Sequence, residues 1–178
     1  MNDTIKALTI LVGTAFAANA QELTQTIPAP DLGGPFDASV SCIKTVIGEA
    51  THGTDLGISE PLDGGQVDIY TSGQDGSVQK GIDVYGTLND AGDTMMVERL
   101  DATVTDSIPT GEEEPEQGWT STGSVTYTDE AGKNQISVEH DGEDTTRGPD
   151  LLKDVDAKLR QCGVKEISAL LSFTPRMG

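Results

Sequence analysis

The sequence predicts an α+β domain: an N-terminal helix, an antiparallel meander of five to six strands, and a C-terminal helix, both helices lying on one sheet face. Two apolar stripes with three- and four-residue spacing stand at the two ends. Between them, alternating apolar and polar segments are separated by glycine-rich turn signals. The chain of 178 residues is the size of one domain. A closed lipocalin-like barrel is the alternative that the same strands allow.

Residues 1–20, "MNDTIKALTILVGTAFAANA", have one basic residue, an apolar run from Ala7 to Ala17 and a small-x-small end. This is the layout of a Sec-type signal peptide cleaved after Ala20, with Ala17 as the alternative site, so a periplasmic or secreted location is expected. The run is too short to cross a bilayer, which takes about 20 apolar residues. Residues 21–36, with three prolines and two glycines, read as an extended lead-in, and residues 37–178 as a single domain.

Asp37 is the expected N-cap of the first helix, whose apolar or small face runs through Ser39, Cys42, Ile43, Val46, Ile47 and Ala50 until Gly53 ends it. Residues 51–65 read as a glycine-rich loop. "QVDIYTS" and "SVQKGIDVYGTL" then alternate as a hairpin across "GQDG". Val67, Ile69, Ile82 and Val84 share the core face, and Asp68, Tyr70, Asp83 and Tyr85 the other. In "TMMVERLDATVTD" the alternation slips between Val97 and Leu100, which requires a bulge near Glu98 and Arg99. Residues 107–117 hold four glutamates in five positions and read as a solvated acidic loop. "WTSTGSVTYT" and "NQISVEH" form a second hairpin with Val125, Tyr127, Ile136 and Val138 inward, and Trp119 is a core plug or lid at its start.

The last helix begins near Pro149 and carries Leu151, Leu152, Val155, Leu159 and Cys162 on one stripe, with Gly163 at the left-handed position that ends it. A final strand is expected in "KEISALLSF". Cys42 and Cys162, the two cysteines of the chain, lie on the buried stripes of helices that share a sheet face. In an oxidising compartment they are expected to form a disulfide.

The net charge of −19 repels nucleic acid and anionic lipid and favours a cationic or protein partner, although an acidic surface also suits a saline habitat. No nucleotide-binding, serine-hydrolase or zinc-protease motif occurs in the sequence. No cofactor is expected. His140 with Asp141, Glu143 and Asp144 is a weak metal candidate that fails the spacing of a calcium loop. His52 sits in a loop. The near-copies "VDIYTSGQDG" and "IDVYGTLNDAG" place Asp68, Tyr70, Asp83 and Tyr85 together on the non-core face, a candidate ligand platform for a sugar, a cation or a partner strand. The expected function is an exported, non-enzymatic binding or accessory protein. The alternatives are a small hydrolase using His140 with acidic neighbours and a calcium-dependent extracellular module.

Overall fold

The computed structural model describes residues 23–53, 55–59, 65–108, 116–130, 132–141 and 146–171. The expected signal peptide lies outside them. Among the described residues are eight strands and two helices in the order β1 (Leu23–Pro28), β2 (Phe36–Ser39), α1 (Val40–Thr51), β3 (Asp55–Ile58), β4 (Gln66–Asp75), β5 (Val78–Leu88), β6 (Thr94–Ile108), β7 (Glu116–Thr126), β8 (Gln135–Asp141) and α2 (Arg147–Leu171).

The strands form one antiparallel sheet with spatial order β1-β8-β7-β6-β5-β4-β3, and β2 pairs with β6 off this path. The edges β1 and β3 do not meet, so the sheet is open and the barrel alternative is wrong. The α+β class and the helices at both ends of the chain match expectation.

The expected bulge is present. Tyr85 pairs with Arg99 and Gly86 with Val97, which leaves Glu98 as the extra residue. The bulge also marks where β6 exchanges its other neighbour: Thr94–Val97 pair with β2, and Arg99 onward pair with β7. Glu98 therefore lets one long strand keep apolar side chains inward on both sides of a branch in the sheet. Met95, Val97, Leu100 and Ala102 are all fully buried.

One sheet face is covered. α1 packs on β4 and β5, α2 on β6 and β7, and the helices touch one another. Ile43, Ile47, Leu152, Val155 and Leu159 have no exposed surface and meet Ile69, Ile82, Val84, Ile136 and Val138, also fully buried. A disulfide between Cys42 and Cys162, with Cα atoms 5.9 Å apart, joins the helices across 120 residues of chain. The expected staple is thus present.

Several expectations are corrected. The lead-in contains β1, the end of the lead-in and the expected helix start contain β2, and the 51–65 loop contains β3. β1 and β2 pair with strands far along the chain, and β3 is only four residues long, so no local alternation marks them. Because Phe36–Ser39 pair with β6, Asp37 stays extended and Ser39 caps α1, its Oγ accepting the Cys42 N–H at 3.3 Å. His52, at φ 55°, ends α1 one residue before the expected Gly53. Gly53 is needed for another reason: a side chain there would run into the backbone of β4 at Ser72. Gly163 does not stop α2, which runs on to Leu171 in place of the final strand. A Cβ at Gly163 would sit 3.0 Å from the Asp37 carbonyl, so this glycine serves a close helix–strand approach. Lys165, Glu166, Ala169, Leu170 and Leu171 favour helix, and extending an existing helix needs no new nucleus. The acidic loop is shorter than 107–117. β6 and β7 remain paired at Ser107↔Gln117 and Ile108↔Glu116, and residues 109–115 lie outside the described residues.

Candidate functional site

The sheet face away from the helices is polar, and its side chains fall into rows that cross the strands. Pairing runs Thr26↔Ser137, Ser137↔Ser124, Ser124↔Asp101, Asp101↔Asp83 and Asp83↔Tyr70, from β1 to β4. The adjacent row runs Thr126↔Arg99, Arg99↔Tyr85 and Tyr85↔Asp68. Alternation within each strand points these residues to one side. All four expected platform residues, Asp68, Tyr70, Asp83 and Tyr85, are therefore on the outer face, diagonal and opposite to one another across β4 and β5.

Their electrostatics follow from this packing. Arg99 grips Asp101 with two parallel bonds, Nε to Oδ1 at 3.0 Å and Nη2 to Oδ2 at 2.7 Å, and its guanidinium lies 5.1 Å from the centre of the Tyr85 ring. Asp101 is thus held in an ion pair, whereas among the described residues Asp68 and Asp83 have none. Partial burial, followed by repulsion from Asp83 and Asp101, pushes the Asp68 carboxyl up from 3.8 to about 6. Its Oδ1 is buried without a hydrogen-bond partner among the described residues. Burial and then Asp101 also raise Asp83, against a downward pull from Arg99. Burial, with the neighbouring carboxylates behind it, raises the Tyr85 phenol to about 12, so it remains a hydrogen-bond donor at neutral pH.

Tyr70 is the most exposed aromatic of the face at 44 %. Its phenol end lies over Gly57 of the edge strand β3, where any side chain would displace it. A bare glycine thus holds an aromatic ring down on the sheet surface, the arrangement by which rings protect edge glycines.

Beside these residues is a groove of about 450 Å³ over β1, β8, β7 and the centre of β6. Its lining is mostly short and hydroxylic: Thr26, Ser124, Thr126 and Ser137, with Gln135 and Arg99. Arg99 belongs to both the groove and the carboxylate cluster, so the two form one surface.

The remaining candidates do not converge there. His52 is the exposed C-cap of α1. His140 is in β8 in register with Ser121, whose side chain has no exposed surface and accepts the Gly148 N–H at 3.1 Å. Asp141 is exposed at the end of β8, and Glu143 and Asp144 lie outside the described residues. Among the described residues no group of three or more His, Cys, Asp or Glu side chains could hold a metal ion. Trp119 is half-buried inside β7 and stacks on Arg147 at 4.7 Å, at the start of α2.

Arg99, Asp101 and the groove hydroxyls are additions to the sequence-based platform. The signal for the hydroxyls was legible: in "TSTGSVT" and "NQISVEH" the outward positions are mostly Thr, Ser, Gln or Glu. Arg99 was obscured because its face depends on where the bulge falls. Among the described residues, no helix is long and apolar enough to cross a membrane. Comparison with protein-family models, curated proteins and solved structures finds no match to the chain.

Proposed function

We propose that this chain is an exported, acidic, non-enzymatic binding or accessory protein whose working surface is the outer face of the sheet. The observation that carries the reading is the contrast between the two faces. One is filled by helices and a disulfide, while the other keeps an exposed tyrosine, a poorly compensated carboxylate pair and a groove along continuous cross-strand rows. Structural needs alone explain the first face. On the second, Asp68 retains a charge that costs stability at neutral pH, the mark of a group kept for something other than folding. Ser121, the hydroxyl opposite His140, is sealed in packing and in a hydrogen bond to α2, which supports a structural role for that pair.

The test is complementation of a strain lacking the chain by two double variants. Tyr70→Ala/Tyr85→Ala should fold, retain its helix and strand signal, and fail to restore the phenotype. His52→Ala/His140→Ala should fold and restore it. A folded histidine variant that fails, beside a tyrosine variant that works, would replace this reading with His140 chemistry.

A further inference from the structure

We infer that the groove over β1, β8 and β7 is a binding site for a neutral saccharide chain, which extends from there past Arg99 toward Tyr70. The inference rests on the outer face being the working surface and adds the chemical class of its occupant.

The first support is the state of the groove's hydrogen-bonding groups. Lower on the same strands, outward hydroxyls satisfy one another across the sheet: Thr103 with Thr122 at 3.0 Å and Thr105 with Thr120 at 3.2 Å. In the groove, the side chains of Thr26, Ser124, Thr126, Gln135 and Ser137 make no hydrogen bond to any described residue. Ser124 and Ser137 are directly opposite and still unpaired. Each hydroxyl both donates and accepts, and Gln135 does both through separate atoms. A ring of sugar hydroxyls, also donor and acceptor at once, matches these five side chains; Thr128, the remaining hydroxyl of the lining, is bonded to Glu130 and Asn134.

The second support is charge. Both cations that line the groove already have anionic partners: Arg99 is held bidentately by Asp101, and Lys133 pairs with Glu130. Glu139 adds a negative charge to the lining. An anionic ligand would meet no free cation in this lining, on a chain of net charge −19, so a neutral ligand fits better. Arg99 still has guanidinium N–H groups beyond the two bound to Asp101, and these can donate to an uncharged oxygen.

The third is shape. The volume of about 450 Å³ is within the range of small-molecule sites. The row from Thr26 to Tyr70 runs from β1 to β4 through β8, β7, β6 and β5, about 24 Å at the usual strand spacing. An extended chain of sugar rings can follow such a row. The row ends on the exposed ring of Tyr70, a surface for the apolar face of a sugar, and passes Asp83, an acceptor for paired hydroxyls.

The test is an amide-shift NMR titration of the full chain with four neutral hexasaccharides: β-1,4-glucose, β-1,4-N-acetylglucosamine, β-1,4-xylose and α-1,4-glucose. A deca-lysine peptide and a heparin hexasaccharide serve as charged comparisons. At least one neutral hexasaccharide should shift Ser124, Thr126 and Ser137 together with Tyr70. Ser124→Val/Ser137→Val, which keeps the strands and removes the hydroxyls, should weaken that binding about tenfold or more. Absence of shifts with all four at millimolar concentration would overturn the inference, as would equal affinity in the valine variant. Deca-lysine or heparin shifting the same residues more tightly than any neutral sugar would overturn the occupant and leave the outer face as the working surface. Shifts confined to the helix side would overturn both.

Discussion

Asp68 is the residue whose titration reports most directly on the outer face. The carboxyl titrates near 3.8 when unfolded and about 6 in the fold, so the folded chain holds an extra proton between those values. Its stabilising contribution is fully present below about pH 4 and is lost as pH rises through about 6. Asp83, raised in the same direction, adds to the trend. Replacing Asp68 by Asn should therefore raise stability at neutral pH by about 1 kcal/mol, a figure reduced for solvent screening of a partly exposed group. It should also flatten the rise in stability between about pH 7 and about pH 5. Denaturant midpoints at the two values measure this, and an Asn variant less stable at neutral pH would mean that the carboxylate is held by favourable charge. A second residue-scale feature is buried: the Tyr127 hydroxyl donates to Asp156 Oδ1 at 2.8 Å. Arg160 reaches the same carboxylate, the carbonyls of Gly33 and Gly34, and the face of Phe36 at 4.2 Å. Asp156 is 4 % exposed, and its loss would leave a guanidinium and a phenol without their anion. Asp156→Ala should cost about 3–5 kcal/mol, and Tyr127→Phe about 1–2 kcal/mol, by denaturant melts.

At the scale of elements, the helices are fixed to the sheet by contacts of two kinds. The Cys42–Cys162 bridge closes 120 residues, which in the chain-entropy model stabilises by roughly 4–5 kcal/mol. Reduction should lower the melting temperature and leave a β-rich circular dichroism spectrum, since neither cysteine lies in a described strand. The second kind is backbone on backbone. A Cβ on Gly123 of β7 would sit 2.9 Å from Pro149 Cα, and one on Gly148 would strike the Ser121 carbonyl. Gly148→Ala should therefore destabilise by about 1–3 kcal/mol through overpacking, against a near-neutral change at Gly81, which has open space around it. The same elements explain what the sequence could and could not reveal. Helix faces, two hairpins and the Glu98 bulge are local patterns with the helix or strand period, with a phase slip readable from Val97 to Leu100. β1 draws its identity from β8, far along the chain, β3 is too short at four residues to show a period, and β2 takes over one side of β6 where β7 ends. Gly163 followed by an alternating apolar segment imitated a helix stop and a strand. The close approach of that glycine to the Asp37 carbonyl is invisible without the fold.

For the whole molecule, the two sheet faces differ: one is packed by helices and the disulfide, and the other carries the tyrosines, the carboxylates and the groove. Tyr70, Tyr85, Asp68 and Asp83 were legible as one face because strict alternation on two adjacent strands leaves no other placement. The groove was not, because it needs β1 beside β8 and the phase of Arg99 beyond the bulge. Its hydroxyls, read one strand at a time, are only polar outward positions. The face can be tested as a whole by adding bulk in the middle of it. Ser124→Trp places an indole between β6 and β8 at the join of groove and carboxylates, and Glu49→Trp places the same bulk on α1, on the other side of the sheet. The decisive measurement is complementation by these two variants, with melting temperatures in hand. Both should melt within a few degrees of the parent, Ser124→Trp should fail to complement, and Glu49→Trp should complement fully. A Ser124→Trp protein that is folded and fully active would contradict the assignment of function to the outer face.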